Sequence, residues 1–133
     1  MQLKEGKEEV NNSYHPNLYP KKMILKHGAK HFLLATSDIV YCYSNNKVVY
    51  IVDGANQKYV YDKNLLRLEA DLDPNQFFKV NRTHIINFNF IRSFVTHEKN
   101  NIKVELKNLH KEQSVIVSQT RVNAFRQWVY NQL

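Results

Sequence analysis

The stretch Phe77-Phe-Lys-Val-Asn-Arg-Thr-His-Ile-Ile-Asn-Phe-Asn-Phe-Ile-Arg-Ser-Phe94 decides the fold of this 133-residue chain. Aromatic and β-branched side chains dominate the stretch, and such residues favour extended structure. A polar cluster interrupts it: Asn81, Arg82, Thr83 and His84. Because strands bury alternate residues, a polar cluster inside an apolar run belongs at a strand end or a turn. The stretch predicts a buried hairpin, and its turn is either plain solvated surface or a place where Asn81 and Arg82 meet a partner.

Strand and turn signals alternate before this hairpin. β-prone runs predict strands over residues 23–25, 31–36, 39–43, 48–52 and 58–61. Turn signals separate them at Gly28, residues 44–47 and Asp53-Gly54. Leu65, Leu68 and Leu72 then recur at helical spacing, which predicts a short core-packed helix over residues 64–72. Asp62 or Asn64 is the expected N-cap of that helix.

Three more strands and a closing helix are expected after the hairpin. The strands cover residues 92–96, 102–106 and 113–117. Ser118 is the expected N-cap of the final helix. Its apolar face comprises Val122, Phe125, Val129 and Leu133, with Trp128 beside it. The predicted fold class is therefore mainly β, with short flanking α-helices.

Composition bounds the class of protein. A chain of this length with 43% hydrophobic residues suits one domain with one core. No apolar run reaches the roughly 20 residues that a membrane helix needs, and the N-terminus lacks the apolar core of a signal peptide. Cys42 is alone, within an apolar run, which indicates a buried thiol instead of a disulfide or a nucleophile. We therefore expect a cytoplasmic protein without membrane contact.

Positive charge is concentrated in the predicted domain. The chain carries a net charge of +7, and its first 20 residues hold two lysines and three glutamates, so residues 21–133 carry +8. Residues 1–20 are polar and read as a flexible tail or linker. A basic folded domain attracts polyanions, although charge alone fits equally a soluble basic domain with no nucleic-acid role.

The central stretch resembles the signature of the LytTR family of bacterial DNA-binding domains, from about residue 23 to about residue 129. The match at the hairpin comprises Phe77, Lys79, Val80, Asn81, Arg82, Thr83, Ile86-Asn87 and Phe90-Ile91. Residues 38–41, Asp-Ile-Val-Tyr, resemble a second family feature, and the Val117-Ser118 step resembles a third. Asn81 stands where the family usually has His, and Gln119-Thr120 stands where Arg is common. The resemblance implies a LytTR-like β-sheet domain.

The resemblance also implies sequence-specific binding of double-stranded DNA for transcription regulation, with loops of a β scaffold in successive major grooves. The implied DNA-binding residues are Asn45, Asn46, Lys47, Asn81, Arg82, Thr120 and Arg121. Arg can pair with guanine and Asn with adenine through two hydrogen bonds each. Asn81 could instead cap its own turn. The expected phosphate contacts are Lys79 and Arg92, with Lys47 a further candidate.

The same resemblance implies partners. Family members bind direct repeats, so we expect a dimer on DNA. They commonly follow a receiver domain in two-component response regulators, so an upstream receiver or sensor domain or protein is expected as the source of the input.

Two other classes of protein compete with this interpretation. A β-rich protein-interaction or signalling module without specific DNA binding would explain the departures from the family pattern at Asn81 and Gln119-Thr120. An enzyme is disfavoured, because no phosphate loop or nucleophile elbow is present. Thr83 and His84 are adjacent and would point to opposite faces of a strand. His27 and His31 lack a third ligand, so no metal and no cofactor are expected.

Overall fold

A computed structural model describes residues 18–108 and 113–133. The predicted tail therefore lies outside the described residues except for its last three positions. In the described ranges, the strands are β1 (Lys22–His27), β2 (Lys30–Ala35), β3 (Ile39–Asn45), β4 (Val48–Asp53), β5 (Lys58–Tyr61), β6 (Phe77–Lys79), β7 (His84–Asn87), β8 (Ile91–Thr96), β9 (Ile102–Leu106) and β10 (Gln113–Val117). The helices are α1 (Leu65–Asp71) and α2 (Val122–Asn131). The mainly β fold class is confirmed.

The described strands form two antiparallel sheets. The larger has seven strands in the order β2-β1-β5-β4-β3-β7-β6, and the smaller has three in the order β10-β9-β8. The central stretch of the sequence joins them: β6 and β7 pair as the predicted hairpin, with Phe78 opposite Ile86. The chain then passes through a 3-10 turn over Phe88–Phe90 into β8 of the small sheet. The hairpin thus fixes how the two sheets meet.

Each face of the large sheet contributes to its own hydrophobic cluster. One cluster contains Cys42, Ile51 and Ile85 together with Leu65 and Leu68 of α1. A second cluster lies between the large sheet, the small sheet and α2, and includes Tyr41, Val52, Ile86, Val104 and Phe125. Residues of β3 and β4 therefore alternate between the two clusters, because successive strand residues point to opposite faces.

Helix α1 matches its prediction closely. The Asn64 side chain accepts a hydrogen bond from the Arg67 backbone N–H at 2.8 Å, so Asn64 is the N-cap. Leu65 and Leu68 are buried against the large sheet, as the helical spacing indicated. A cap of this kind stabilises a helix by about 1 kcal/mol.

The predictions for the start and end of α2 were wrong in two details. Ser118 precedes a 3-10 turn over Gln119–Arg121, and its side chain makes no cap hydrogen bond. Leu133 lies past the end of the helix and is 86% exposed. The predicted apolar face is otherwise present, with Phe125, Trp128 and Val129 buried. The Trp128 indole stacks on Phe78 at 5.1 Å and donates to the Pro74 carbonyl at 2.9 Å, which holds α2 against the hairpin.

A buried asparagine closes the base of the hairpin. Asn87 is fully buried, and its Nδ2 donates to the Ile39 carbonyl at 2.7 Å. Its Oδ1 accepts from the Asn89 backbone N–H at 2.9 Å, where the 3-10 turn begins. Because a buried amide needs partners for both its atoms, these bonds fix the exit of the hairpin. No helix within the described ranges is both long and apolar enough to cross a bilayer.

Candidate nucleic-acid interface

Backbone hydrogen bonds bring three loops to one end of the molecule. The Ser44 N–H donates to the Thr83 carbonyl at 2.9 Å, which places the β3–β4 turn beside the β6–β7 turn. The Ser118 N–H donates to the Val80 carbonyl at 3.0 Å, which places the loop after β10 on the other side of that turn. The order across this edge is therefore the β3–β4 turn, the β6–β7 turn and the 118–121 loop.

The first loop is a two-residue hairpin turn. Asn45 pairs with Val48, and between them Asn46 and Lys47 have φ values of 52° and 68°. Positive φ at both central positions is the geometry of the tight hairpin turn that suits twisted strands, and Asn tolerates it well. The side chains of residues 45–47 are exposed, so the turn presents two amides and an ammonium group to solvent.

The second loop is held by the side chain of Asn81. Its Nδ2 donates to the Ile116 carbonyl of β10 at 2.7 Å, across 35 residues of sequence. Its Oδ1 accepts from the Thr83 N–H at 2.9 Å and from the Thr83 hydroxyl at 3.1 Å. Of the two roles foreseen for Asn81, the structure shows the turn cap and adds a link to the small sheet.

Arg82 occupies the tip of this clamped turn. Its side chain is exposed, and within the described part of the chain its guanidinium takes part in no hydrogen bond or ion pair. A rigid backbone beneath a free guanidinium is a suitable arrangement for contacting a ligand, because little besides the side chain must be ordered on binding.

The third loop is tied to the second by Arg121. The Arg121 Nε donates to the Lys79 carbonyl at 2.6 Å, and its guanidinium carbon lies 4.9 Å from the centre of the Phe78 ring. Both contacts stabilise the 3-10 turn against β6, and a cation over an aromatic face contributes about 0.5–1 kcal/mol. Thr120, one residue earlier, is exposed.

A shallow surface pocket of about 730 Å³ gathers the second and third loops. Five of its lining residues were predicted as DNA or phosphate contacts, and a sixth, Thr83, belongs to the stretch that resembles the family signature. The five are Lys79, Asn81, Arg82, Thr120 and Arg121. Glu69 and Ser118 also line the pocket and were not predicted as contacts from the sequence. Glu69 lies on an exposed helix position remote in sequence, so no local pattern could have indicated it. Ser118 was expected as a helix cap and as part of the Val117-Ser118 step that resembles the family, and its hydroxyl instead faces the Val80 carbonyl at 3.5 Å.

Arg92 does not join these loops. It lines a different depression with Gly54, Asn89 and Lys107. β7 runs from His84 beside the loop edge to Asn87 at its other end, and Arg92 follows the 3-10 turn beyond that point. A four-residue strand spans roughly 13 Å, so Arg92 lies about one strand length away from the loop edge.

Burial sets the protonation of two side chains near the loops. Desolvation lowers the pKa of His84, whose ring stacks on Tyr43 at 5.6 Å and whose Nδ1 lies 2.9 Å from the Thr83 hydroxyl. The Cys42 side chain is fully buried, as predicted, and desolvation raises the pKa of its thiol. In residues 18–108 and 113–133, no group of three or more His, Cys, Asp or Glu side chains is placed to hold a metal ion.

Comparisons with known proteins identify the family and the fold of the chain. The family model of the LytTr DNA-binding domain matches residues 29–130. The transcriptional regulatory protein YpdB of Escherichia coli K12 is 30% identical over 94 residues, which are 71% of this chain. The protein of the same name from Shigella flexneri matches equally well. The chain spans only 37% of the length of these relatives.

A solved structure shares the fold. The LytTr DNA-binding domain of a response regulator from Bacillus cereus superposes with a TM-score of 0.75. The superposition covers 83% of this chain and 97% of that domain, at 19% sequence identity. The two-sheet architecture with its flanking helices is thus that of a known DNA-binding domain.

Proposed function

The chain belongs to the LytTR family of DNA-binding domains, and from that premise we propose that it binds double-stranded DNA sequence-specifically and regulates transcription. The observation that carries the proposal is the single edge formed by the β3–β4 turn, the β6–β7 turn and the 118–121 loop. Hydrogen bonds from Ser44 and Ser118 hold the three together. A row of short, polar loops on a rigid scaffold suits insertion into major grooves, where base edges differ in their donors and acceptors.

Arg82 has the central role in this proposal. Its free guanidinium at the tip of a clamped turn can donate two hydrogen bonds to one guanine. Asn45 and Asn46 offer carboxamides that can pair with adenine, and Thr120 offers a hydroxyl. We assign direct base readout to these exposed side chains, since phosphate contacts alone give affinity without sequence preference.

Asn81 and Arg121 act mainly by positioning. Both already make hydrogen bonds within the protein: Asn81 with Ile116 and Thr83, and Arg121 with Lys79. Their remaining donors can still face the DNA, but their first effect is to fix the height and direction of the Arg82 turn. Where the family usually has His, this chain therefore has the Asn81 carboxamide, which holds the turn in place.

Lys47 and Lys79 are assigned to phosphates that flank the bases. Both lie in or beside the three loops, and a lysine neutralises a phosphate without needing a fixed hydrogen-bond direction. Arg92 remains a prediction as a phosphate contact, and its position implies a contact at the periphery of the bound DNA.

The wider context is also part of the proposal. The relatives are named transcriptional regulatory proteins and are longer than this chain. We propose that residues 21–133 form the DNA-binding domain, preceded by a linker over residues 1–20, and that an upstream receiver or sensor domain or protein supplies the signal. Binding as a dimer to direct repeats is proposed from the family. A transcription regulator of this kind has no enzymatic step of its own.

Selection from random duplex DNA, followed by titration of the enriched sequence at two salt concentrations, tests the proposal. Arg82→Ala should weaken binding to the selected site by about 1–3 kcal/mol and flatten the preference at one base pair. Arg92→Ala is the matched comparison: it should weaken binding less, equally for all sequences, with a smaller salt dependence. Failure to enrich any motif, or equal affinity of Arg82→Ala and the unmodified protein, would contradict the proposal.

A further inference from the structure

One face of the large sheet is covered over only part of its width. The small sheet and α2 pack on Tyr41, Val52 and Ile86 at its β3 and β7 side. The same face continues across β4, β5, β1 and β2, as the cross-strand pairs show. One such row comprises His84, Tyr43, Tyr50, Val60, Lys26 and His31. No described element covers the part of this face beyond Tyr43.

We call this uncovered area the open face. It comprises the outward residues of β2, β1, β5 and β4: His31, Leu33, Lys22, Ile24, Lys26, Lys58, Val60 and Tyr50. Ile24 and Leu33 are directly opposite each other and are 65% and 70% exposed. Leu33 lies on the edge strand β2 and Ile24 on its neighbour β1. Adjacent exposed apolar residues on a sheet face are unusual for a surface that meets only water, and they mark interaction sites.

The charge of the open face has one sign. The basic residues of the open face are Lys22, Lys26 and Lys58. None of the residues that define the open face is Asp or Glu. Lys58 lies over the Tyr50 ring at 4.9 Å and donates to the Tyr43 hydroxyl at 3.2 Å. Its ammonium group makes no ion pair with any described carboxylate. A partner that supplies carboxylates around an apolar stripe would complement this arrangement.

A groove borders the open face where the small sheet begins. It has a volume of about 380 Å³ and is lined by Tyr41, Tyr43, Lys58, His84 and Gln113 among others. The rings of Tyr43 and Tyr50 stand in a stack at 5.2 Å. The two rings therefore present their edges and hydroxyl groups, and the side of the groove can contact a bound partner.

We propose that the open face binds an amphipathic, acidic α-helix of a partner protein. The apolar side chains lie on four neighbouring strands, which a single strand added at the β2 edge would not cover. Strands are about 4.8 Å apart and a helix is about 10 Å wide, so one helix can contact three of them. Duplex DNA fits less well, because the exposed apolar side chains of Ile24 and Leu33 offer neither a charge nor a hydrogen bond to a phosphate backbone.

The probe for this proposal is a synthetic peptide with leucines at helical spacing and glutamates elsewhere. Binding to the full chain is measured by fluorescence anisotropy, and the contact is mapped by amide chemical shifts. The peptide should bind with shifts confined to β1, β2, β5 and the groove. Leu33→Thr combined with Ile24→Thr should weaken it about tenfold or more, since the peptide would bury both apolar side chains.

Matched variants separate this site from the DNA-binding edge and from nonspecific binding. Leu66→Thr, at an equally exposed leucine on α1, should leave peptide binding unchanged, and Lys26→Glu should weaken it. All four substitutions should leave affinity for the selected DNA unchanged. Equal binding of a scrambled peptide, or insensitivity to the Ile24 and Leu33 substitutions, would overturn the proposal. So would shifts of the open face on adding DNA, or self-association of the chain that Leu33→Thr abolishes.

Discussion

The covered and the open halves of one sheet face differ in what they do for the molecule. In the covered half, Phe125 and Trp128 of α2 pack on Phe78, and Asn81 links the β6–β7 turn to β10. In the open half, Ile24 and Leu33 have no such cover. Basic side chains occur both at the loop edge beside the covered half, as Lys79 and Arg82, and on the open half, as Lys22, Lys26 and Lys58. Positive charge therefore does not by itself distinguish the proposed DNA-binding edge from the open face, whereas the contacts that fix the loops to a packed core do.

Core truncation should give the largest difference between the halves. Phe125 is fully buried and touches Phe78, Phe94 and Trp128. Phe125→Ala should lower the free energy of unfolding by about 3–5 kcal/mol. Leu33→Thr in the open half should change it by less than about 0.5 kcal/mol. Urea denaturation measures both, and a comparable loss in the two variants would show that the open half is covered after all.

Loss of the Asn81 clamp should have the next largest effect. Asn81→Ala removes the donor to the Ile116 carbonyl and the acceptor for the Thr83 N–H. We expect the free energy of unfolding to fall by about 1–2 kcal/mol. DNA affinity should also fall, because the Arg82 turn is no longer fixed. Asn75→Ala, at an exposed turn residue, is the control, and a clamp variant with normal DNA affinity would assign Asn81 a purely structural role.

Neutralising Glu69 should change DNA affinity less, and in the opposite direction. Its exposed side chain lines the pocket with Lys79, Arg82 and Arg121, where a carboxylate repels DNA phosphates. Glu69→Gln should raise DNA affinity by about two- to fivefold at low salt, with the gain fading as salt rises. Glu105→Gln, on the outward side of β9, is the matched substitution and should change affinity less. A decrease in affinity for Glu69→Gln would indicate that the carboxylate contacts the DNA bases.

The smallest effect concerns His84. Burial lowers its pKa from 6.5, so the folded protein favours the neutral imidazole while the unfolded chain takes up a proton near that value. Its contribution to stability is therefore present above pH 6.5 and is lost as the pH falls through the lower pKa of the folded state. Urea denaturation of the unmodified protein and of His84→Gln at several pH values isolates this contribution. A pH dependence identical in both would contradict it.

Much of the fold could be predicted from local patterns. Alternation and turn residues located the β3–β4 hairpin and the central hairpin, and the leucine spacing located α1 with its Asn64 cap. These features depend on residues close in sequence. The prediction that Leu133 lies on the apolar face was wrong because α2 ends at Asn131, beyond which helical periodicity no longer orients a side chain.

The candidate site was predictable only in part, because its geometry depends on contacts distant in sequence. The family resemblance located Asn81 and Arg82, but the link from Asn81 to Ile116 spans 35 residues. Likewise, Arg121 reaches the Lys79 carbonyl across 42 residues. Local patterns do not report such distances. Arg92 looked equivalent to Lys79 in sequence, yet the 3-10 turn after β7 carries it away from the loops.

We propose that DNA contacts the edge formed by the β3–β4 turn, the β6–β7 turn and the 118–121 loop. Titrating the isotopically labelled chain with the selected duplex and following backbone amide chemical shifts tests it most directly. We predict that β1 and β2 stay unchanged and that the largest shifts occur at Asn46, Lys47, Arg82, Thr83 and Thr120. Largest shifts in β1 and β2, with residues 82–83 and 120 unmoved, would contradict it and assign DNA binding to the open face.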